Sequence, residues 1–144
     1  MDARLDDVTS GDPDLESAAA VAMAAAGARF ALVFGSRAGT DGPGSAARAN
    51  SDLDVAAWWD GTPPDAWQVP VPAGVDLVVL NRAPLWLAGR AAMWGRPLYI
   101  ADEAADLQRI DWQVDVRLRY LDELPGIRER YELRRRQLAA GATR

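Results

Sequence analysis

The fold is decided by the stretch Asp52-Leu53-Asp54-Val55-Ala56-Ala57-Trp58-Trp59, which has the pattern of a strand that begins with two carboxylates. Side chains two positions apart on a strand point to the same face, with Cα atoms roughly 6.6 Å apart. Two carboxylates on one face repel each other unless a positive charge lies between them. Asp52 and Asp54 are therefore candidate ligands for a cation.

Two further apolar runs frame this strand. Residues 29–34 and 75–80 are too short for helices, and both are predicted to be buried strands. The first run ends at Gly35 and Ser36. A Gly-Ser turn lets backbone N–H groups approach phosphate oxygens without a Cβ in the way, so it is a candidate phosphate-binding turn.

A third acid lies inside the last of these strands. Asp76 is the second residue of Val-Asp-Leu-Val-Val-Leu, and a lone acid in such a strand is costly to bury without a partner. If the second and third strands are neighbours, Asp76 completes a carboxylate triad with Asp52 and Asp54. Such hard oxygen ligands select Mg²⁺ or Mn²⁺.

The composition narrows the chemistry further. The chain has 16 basic residues, all of them Arg, and it contains no Cys, His or Lys. Disulfides, Cys/His zinc sites, Ser-His-Asp triads, Schiff-base lysines and Walker lysines are therefore excluded. Two-metal phosphoryl or nucleotidyl transfer survives this exclusion, because it requires little more than carboxylates to hold the metals.

The remaining elements are predicted from the spacing of apolar residues and from the capping residues, glycines and prolines that end helices and strands. Residues 14–26 form a helix with Asp14 as its N-cap and Gly27 at its end. Residues 83–94 form a second helix, and residues 97–101 form a short fourth strand at a sheet edge. Residues 37–51 are a long loop, and residues 60–72, with four prolines, are irregular. From Glu103 onward we expect two helices, broken near Pro125 and Gly126.

One segment fits two periods. Between residues 112 and 120, apolar and polar residues alternate as in a strand, but residues 107–121 fit a helix equally well. We favour the helix, because the pattern continues for longer than a strand. The face of Leu107, Ile110, Val114, Leu118 and Leu121 is then expected to pack on the sheet. Trp112 and Val116, on the opposite face, are then available for a partner, with a place in the core as the alternative for Trp112.

Length and charge set the organisation. With 144 residues, the chain suits one domain, which we place at residues 14–144 after a flexible arm at residues 1–13. Residues 1–72 carry 4 Arg and 11 acids, whereas residues 73–144 carry 12 Arg and 10 acids. This acidic balance is not typical of a nucleic-acid binder.

No basic leader and no membrane-length apolar run is visible, so we expect a cytoplasmic protein. Homo- or hetero-oligomerisation stays open.

The three acidic and glycine-containing motifs carry a family resemblance. Phe34-Gly35-Ser36-Arg37-Ala38, Ser51-Asp52-Leu53-Asp54-Val55 and Val75-Asp76-Leu77-Val78 resemble the nucleotidyltransferase superfamily with the DNA polymerase β-like fold. More narrowly, the chain is similar to the minimal nucleotidyltransferase (MNT) antitoxins of HEPN/MNT toxin–antitoxin pairs. The resemblance implies an α/β fold with a small mixed sheet and helices mainly on one side.

The resemblance also implies roles for individual residues. Gly35, Ser36 and Arg37 would bind the nucleotide, Asp52 and Asp54 would bind the metal, and Asp76 would be the third ligand or the base toward the acceptor. The implied activity is Mg²⁺-dependent transfer of AMP from ATP to a tyrosine of a HEPN ribonuclease toxin. From the charge balance and the absence of a membrane-length apolar run, we expect no membrane partner and no direct nucleic-acid partner. The fifteen residues 37–51 between Ser36 and Asp52 exceed the family spacing.

Two rival functions remain. One is an adenylyltransferase for a small molecule, of the aminoglycoside type, although such enzymes usually carry a second domain for the acceptor. The other is an antitoxin that neutralises its toxin by binding alone. Retention of three costly acids, Asp52, Asp54 and Asp76, argues against pure binding.

Overall fold

A computed structural model describes residues 12–35 and 52–142 of the chain. Its α-helices are α1 (Pro13–Ala25), α2 (Leu85–Trp94) and α3 (Glu103–Ala142), and its strands are β1 (Phe30–Phe34), β2 (Leu53–Trp58), β3 (Val75–Val79) and β4 (Arg96–Ile100). Short 3₁₀ turns follow at Ala66–Gln68 and Leu80–Arg82. The predicted strands and first two helices are therefore confirmed to within a few residues. The predicted loop at 37–51 lies outside the described residues.

The four strands form one mixed sheet in the order β3-β2-β1-β4. β1 pairs antiparallel with both β2 and β4, whereas β2 pairs in parallel with β3. β4 lies at an edge, as predicted. β2 and β3 are neighbours, which is the condition for Asp76 to lie beside the acids of β2.

The sheet has a helix layer on each face. On one face, Ala19 and Met23 of α1 pack with Val55 and Leu77. On the other face, α2 and α3 pack over a cluster that includes Phe30, Leu32 and Ala56. Two of the three described helices therefore cover the same face, in agreement with the expected architecture. Small side chains such as Ala19, Ala56 and Ala91 allow these helices to lie close to the sheet.

The N-terminus of α1 differs from the prediction. The cap is Asp12 and not Asp14, because the Asp12 carboxylate accepts hydrogen bonds from the N–H groups of Asp14 (3.0 Å) and Leu15 (3.2 Å). Pro13 occupies the first helical position, where its missing N–H has no helical partner to lose. At the other end Gly27 adopts φ +79°, and its N–H donates to Ala24 O (3.1 Å), as a helix-ending glycine should.

The predicted break near Pro125 and Gly126 is wrong, because α3 is one continuous helix through both residues. Pro125 cannot donate a backbone hydrogen bond to the carbonyl of Leu121. Leu121 and Pro125 both lie on an exposed side of the helix, where water can satisfy that carbonyl. The helix therefore continues, although the proline costs it one hydrogen bond.

The helical assignment of residues 112–120 is confirmed, but the predicted orientation of the helix is wrong. The expected core face of Leu107, Ile110, Val114, Leu118 and Leu121 is exposed. Val116 and Tyr120 are buried instead, and the Trp112 ring lies 5.9 Å from that of Phe30. The aromatic side of α3 faces the domain, because α2 presents small residues to it: the Tyr120 ring occupies the space where Gly89 would otherwise carry a Cβ.

None of the helices in residues 12–35 and 52–142 is both long enough and apolar enough to cross a membrane.

Candidate active site

Asp54 and Asp76 lie side by side on neighbouring strands. The parallel register pairs Asp54 with Asp76, and the antiparallel register pairs Asp54 with Phe34. Residues in register on adjacent strands share a face, so the two carboxylates lie on the face covered by α2 and α3. Asp54 is partly buried and Asp76 is exposed. This row across the sheet end is the candidate active site.

A backbone turn fixes the register of these acids. Gly74, with φ +89°, precedes β3, and its carbonyl accepts a hydrogen bond from Leu53 N–H at 2.7 Å. This bond joins the first residue of β2 to the residue just before β3, and the two strands run in the same direction. The acids that follow, Asp54 and Asp76, are consequently held at the same height in the sheet.

Gly35 touches the same carboxylate. It is buried, it adopts φ +91°, and a Cβ built on it would overlap Oδ2 of Asp54. Two independent constraints therefore require glycine here: the left-handed backbone and the contact with Asp54. The end of β1 and the start of β2 thus form one closely packed corner. The predicted phosphate-binding role of Gly35 stays a prediction.

An arginine that the sequence pattern did not single out lies above this corner. The guanidinium carbon of Arg90, on α2, lies 6.0 Å from the centroid of the Phe34 ring, and Phe34 is the register partner of Asp54. Arg96, at the same end of the sheet, is instead bonded to Glu16 (2.6 Å). The signal in the sequence was modest: a cation inside an otherwise apolar predicted helix.

The remaining predicted site residues are only partly placed. Asp52 is exposed immediately before β2, and strand alternation puts it on the side of Asp54. Ser36 and Arg37 lie outside the described residues. Within the described part of the chain, no three acidic side chains converge closely enough to form a metal-binding group. The donor chemistry of Asp54 and Asp76 suits a hard cation, but the triad is not gathered around one point.

Comparison with known proteins points to one fold. No family model matches the chain, and no curated protein matches it in sequence. Solved structures do match. The chain has 18% identity and a TM-score of 0.55 with a chain of a toxin–antitoxin crystal structure containing AMP-PNP, covering 79% of this chain and 96% of that one.

Two further solved structures give the same result. A chain of the MntA–HepT toxin–antitoxin structure matches with a TM-score of 0.52 at 16% identity, covering 82% of this chain and 97% of that one. So does a chain of a Shewanella oneidensis structure of a tri-AMPylated HEPN toxin in complex with an MNT antitoxin, with a TM-score of 0.52, 16% identity and coverage of 80% and 94%. The chain therefore shares its fold with chains of these solved MNT antitoxin–HEPN toxin complexes.

Proposed function

We propose that this protein is an Mg²⁺-dependent nucleotidyltransferase antitoxin, which transfers AMP from ATP to a tyrosine hydroxyl of a HEPN-type toxin. The observation that carries the proposal is the register of Asp54 with Asp76 on one face of the sheet. The fold supports it, because proteins of this fold have been crystallised with AMP-PNP and with an AMPylated HEPN toxin.

The proposed reaction requires few protein groups. The tyrosine oxygen forms a bond to the α-phosphorus of ATP, the bond from that phosphorus to pyrophosphate breaks, and the phenolic proton passes to a carboxylate. Asp76 is the candidate acceptor of that proton, since it is exposed at the sheet end. No His, Cys or Lys is available in the chain, and this chemistry needs none of them.

Asp52, Asp54 and Asp76 would hold the metal ion. When bound, Mg²⁺ neutralises charge on the phosphates and orients the reacting oxygens. In the described structure these acids lie along one sheet end without converging, so metal and nucleotide binding would have to draw them together. Arg90 is the candidate for contacting phosphate from the side of α2, because a guanidinium binds phosphate oxygens bidentately.

A labelling experiment tests the proposal. The protein is incubated with ATP labelled on its α-phosphate, Mg²⁺ and the HEPN-type protein encoded by the adjacent gene. We expect label on that protein, and we expect Asp54→Asn to reduce the rate at least about 100-fold, as when a charge-stabilising group is removed. Asp111→Asn, at an exposed acid of α3, serves as the control and should keep the wild-type rate.

The alternative outcomes identify the rival functions. A stable complex without label would indicate an antitoxin that acts by binding alone. When the reaction is repeated with an aminoglycoside added, label on the aminoglycoside but not on the HEPN-type protein would indicate a small-molecule enzyme. Full protein labelling by Asp54→Asn, or in excess chelator, would contradict the proposed carboxylate and metal roles.

A further inference from the structure

An open groove lies between the end of α2 and the middle of α3. Its volume is about 540 Å³, and most of the side chains along it are apolar or aromatic: Met93, Trp94, Tyr120, Leu124, Ile127 and Tyr131. Two of these lining residues, Trp94 and Tyr120, meet edge to face with ring centroids 6.4 Å apart. This is a favourable geometry for aromatic pairs, so the two rings stabilise each other's positions in the groove.

The wall of the groove continues into an uncovered helix. Residues 128–141 of α3 are all exposed, and Tyr131 and Leu138 are among the exposed large hydrophobic residues. A helical segment of this length is marginal in water without tertiary packing. An exposed apolar groove beside such a segment is typical of a binding surface for another protein.

The groove is close to the candidate active site along α2. Trp94 lies four residues after Arg90, and residues four apart share one side of a helix. Arg90 in turn lies over Phe34, the register partner of Asp54. A single turn of helix therefore separates the groove from the arginine above the carboxylates. A protein bound in the groove would be held at the catalytic end of the sheet.

Charge indicates what the bound surface is like. Residues 128–142 contain five arginines and two glutamates, whereas the catalytic end is acidic. A complementary partner would place an apolar side chain in the groove and acidic side chains along the arginines. A small acceptor molecule would need no such extended surface.

We propose that the groove and the exposed segment at residues 128–141 dock the acceptor protein, by a face on which acidic residues surround an apolar anchor. This inference rests on the proposed function for the identity of the acceptor. It goes beyond that function by assigning the docking surface to the second half of α3 and not to the sheet or to α1.

The test measures binding separately from transfer. Affinity for the HEPN-type protein of the adjacent gene is measured by calorimetry without ATP, for the wild type and for Tyr131→Asp. We expect Tyr131→Asp to bind at least about 10-fold more weakly, as expected for an interface anchor, with an unchanged melting temperature. Leu107→Asp is the matched control, because Leu107 is 60% exposed and Tyr131 63% exposed on the same helix. It should bind like the wild type.

Each other outcome decides the matter. Wild-type affinity in Tyr131→Asp, equal loss in Leu107→Asp, or no binding by the wild type would overturn the docking proposal. Two further measurements could also overturn it. One is a loss of single-stranded RNA binding by Tyr131→Asp in place of the loss of protein binding, and the other is a wild-type dimer, seen by sedimentation, that Tyr131→Asp converts to a monomer. If the affinity pattern is as expected but no label is transferred, the docking surface stands and the proposed activity fails. If the affinities are unaffected while labelling proceeds, the activity stands and the docking surface fails.

Discussion

At the scale of single residues, Gly35 is the most constrained position of the candidate site. Its φ of +91° and its contact with Asp54 both exclude a side chain. We predict that Gly35→Ala lowers the free energy of unfolding by about 2–4 kcal/mol, since it combines backbone strain with a steric overlap. It should also slow AMP transfer, because Asp54 must move to admit the methyl group. Urea unfolding and the labelling rate measure the two effects.

Gly61 provides the matched control. It also has positive φ, +66°, but a Cβ there would meet no atom within 4 Å. Gly61→Ala should therefore show only the backbone cost, about 1–2 kcal/mol, and normal transfer. Equal effects of the two substitutions would mean that the contact between Gly35 and Asp54 contributes nothing.

At the scale of elements, α3 shows what a helix period can and cannot predict. The spacing of the apolar residues correctly predicted a helix at residues 107–121. Both faces of that helix carry apolar residues, so the spacing did not show which face is buried. The choice depended on the opposing surface, where α2 presents Ala88, Gly89 and Ala92. Small residues leave room for large rings, so Trp112 and Tyr120 face inward. The opposite face, which carries Leu107, Ile110, Val114, Leu118 and Leu121, is exposed. Pairing of this kind between two distant segments cannot be deduced from the period of one of them.

The orientation of α3 gives a direct prediction. Trp112→Asp should destabilise the domain by about 3–5 kcal/mol, as for a large core side chain, because the ring packs against Phe30. Val114→Asp, on the exposed face, should change stability by less than about 0.5 kcal/mol. Thermal and urea unfolding of both variants measure this. A stable Trp112→Asp variant would contradict the observed orientation.

The start of α3 is fastened to β1 by an ion pair. Nη1 and Nη2 of Arg29 donate to the Asp102 carboxylate at 3.0 and 2.9 Å, and Asp102 also accepts from Ala105 N–H at 2.7 Å. The hydrogen bonds from Arg29, and then the one from Ala105, lower the pKa of Asp102. A lowered pKa means that this carboxylate stabilises the fold above its unfolded pKa of about 3.9 and ceases to do so as the pH falls through the lowered value.

Asp102→Asn tests this pH dependence. Asn still caps a helix well but cannot form the ion pair. We expect the variant to be less stable than the wild type at neutral pH, and we expect this difference to shrink as the pH falls through the lowered pKa of Asp102. Urea unfolding across this pH range measures the difference, with Asp111→Asn as the control acid on the same helix. A gap that persists unchanged at low pH would show that the charge is irrelevant.

At the scale of the whole molecule, the strands were predictable and their arrangement was only partly so. Short branched runs such as Val75–Val79, bounded by glycines and prolines, allow few alternatives to a strand. The pairing of Asp54 with Asp76, however, depends on β3 lying beside β2. The sequence alone does not show which strands are neighbours, so this pairing could be predicted only on that condition. Arg90 is brought to the candidate site by the packing of α2 on the sheet. The sequence shows a cation in an otherwise apolar predicted helix, but not where that helix packs.

The position of β3 at the edge of the sheet has a consequence for how well the proposed activity would survive heating. An edge strand is hydrogen-bonded to a single neighbouring strand, so it can detach by a local opening that exposes its amide hydrogens to exchange with solvent. β1 is paired on both sides and does not open in this way. Asp76 is part of β3, so each such opening moves Asp76 away from Asp54. Heat should therefore inactivate the protein reversibly at temperatures where most of the core is still intact, and bound nucleotide should protect the amides of Val75–Val79 from exchange.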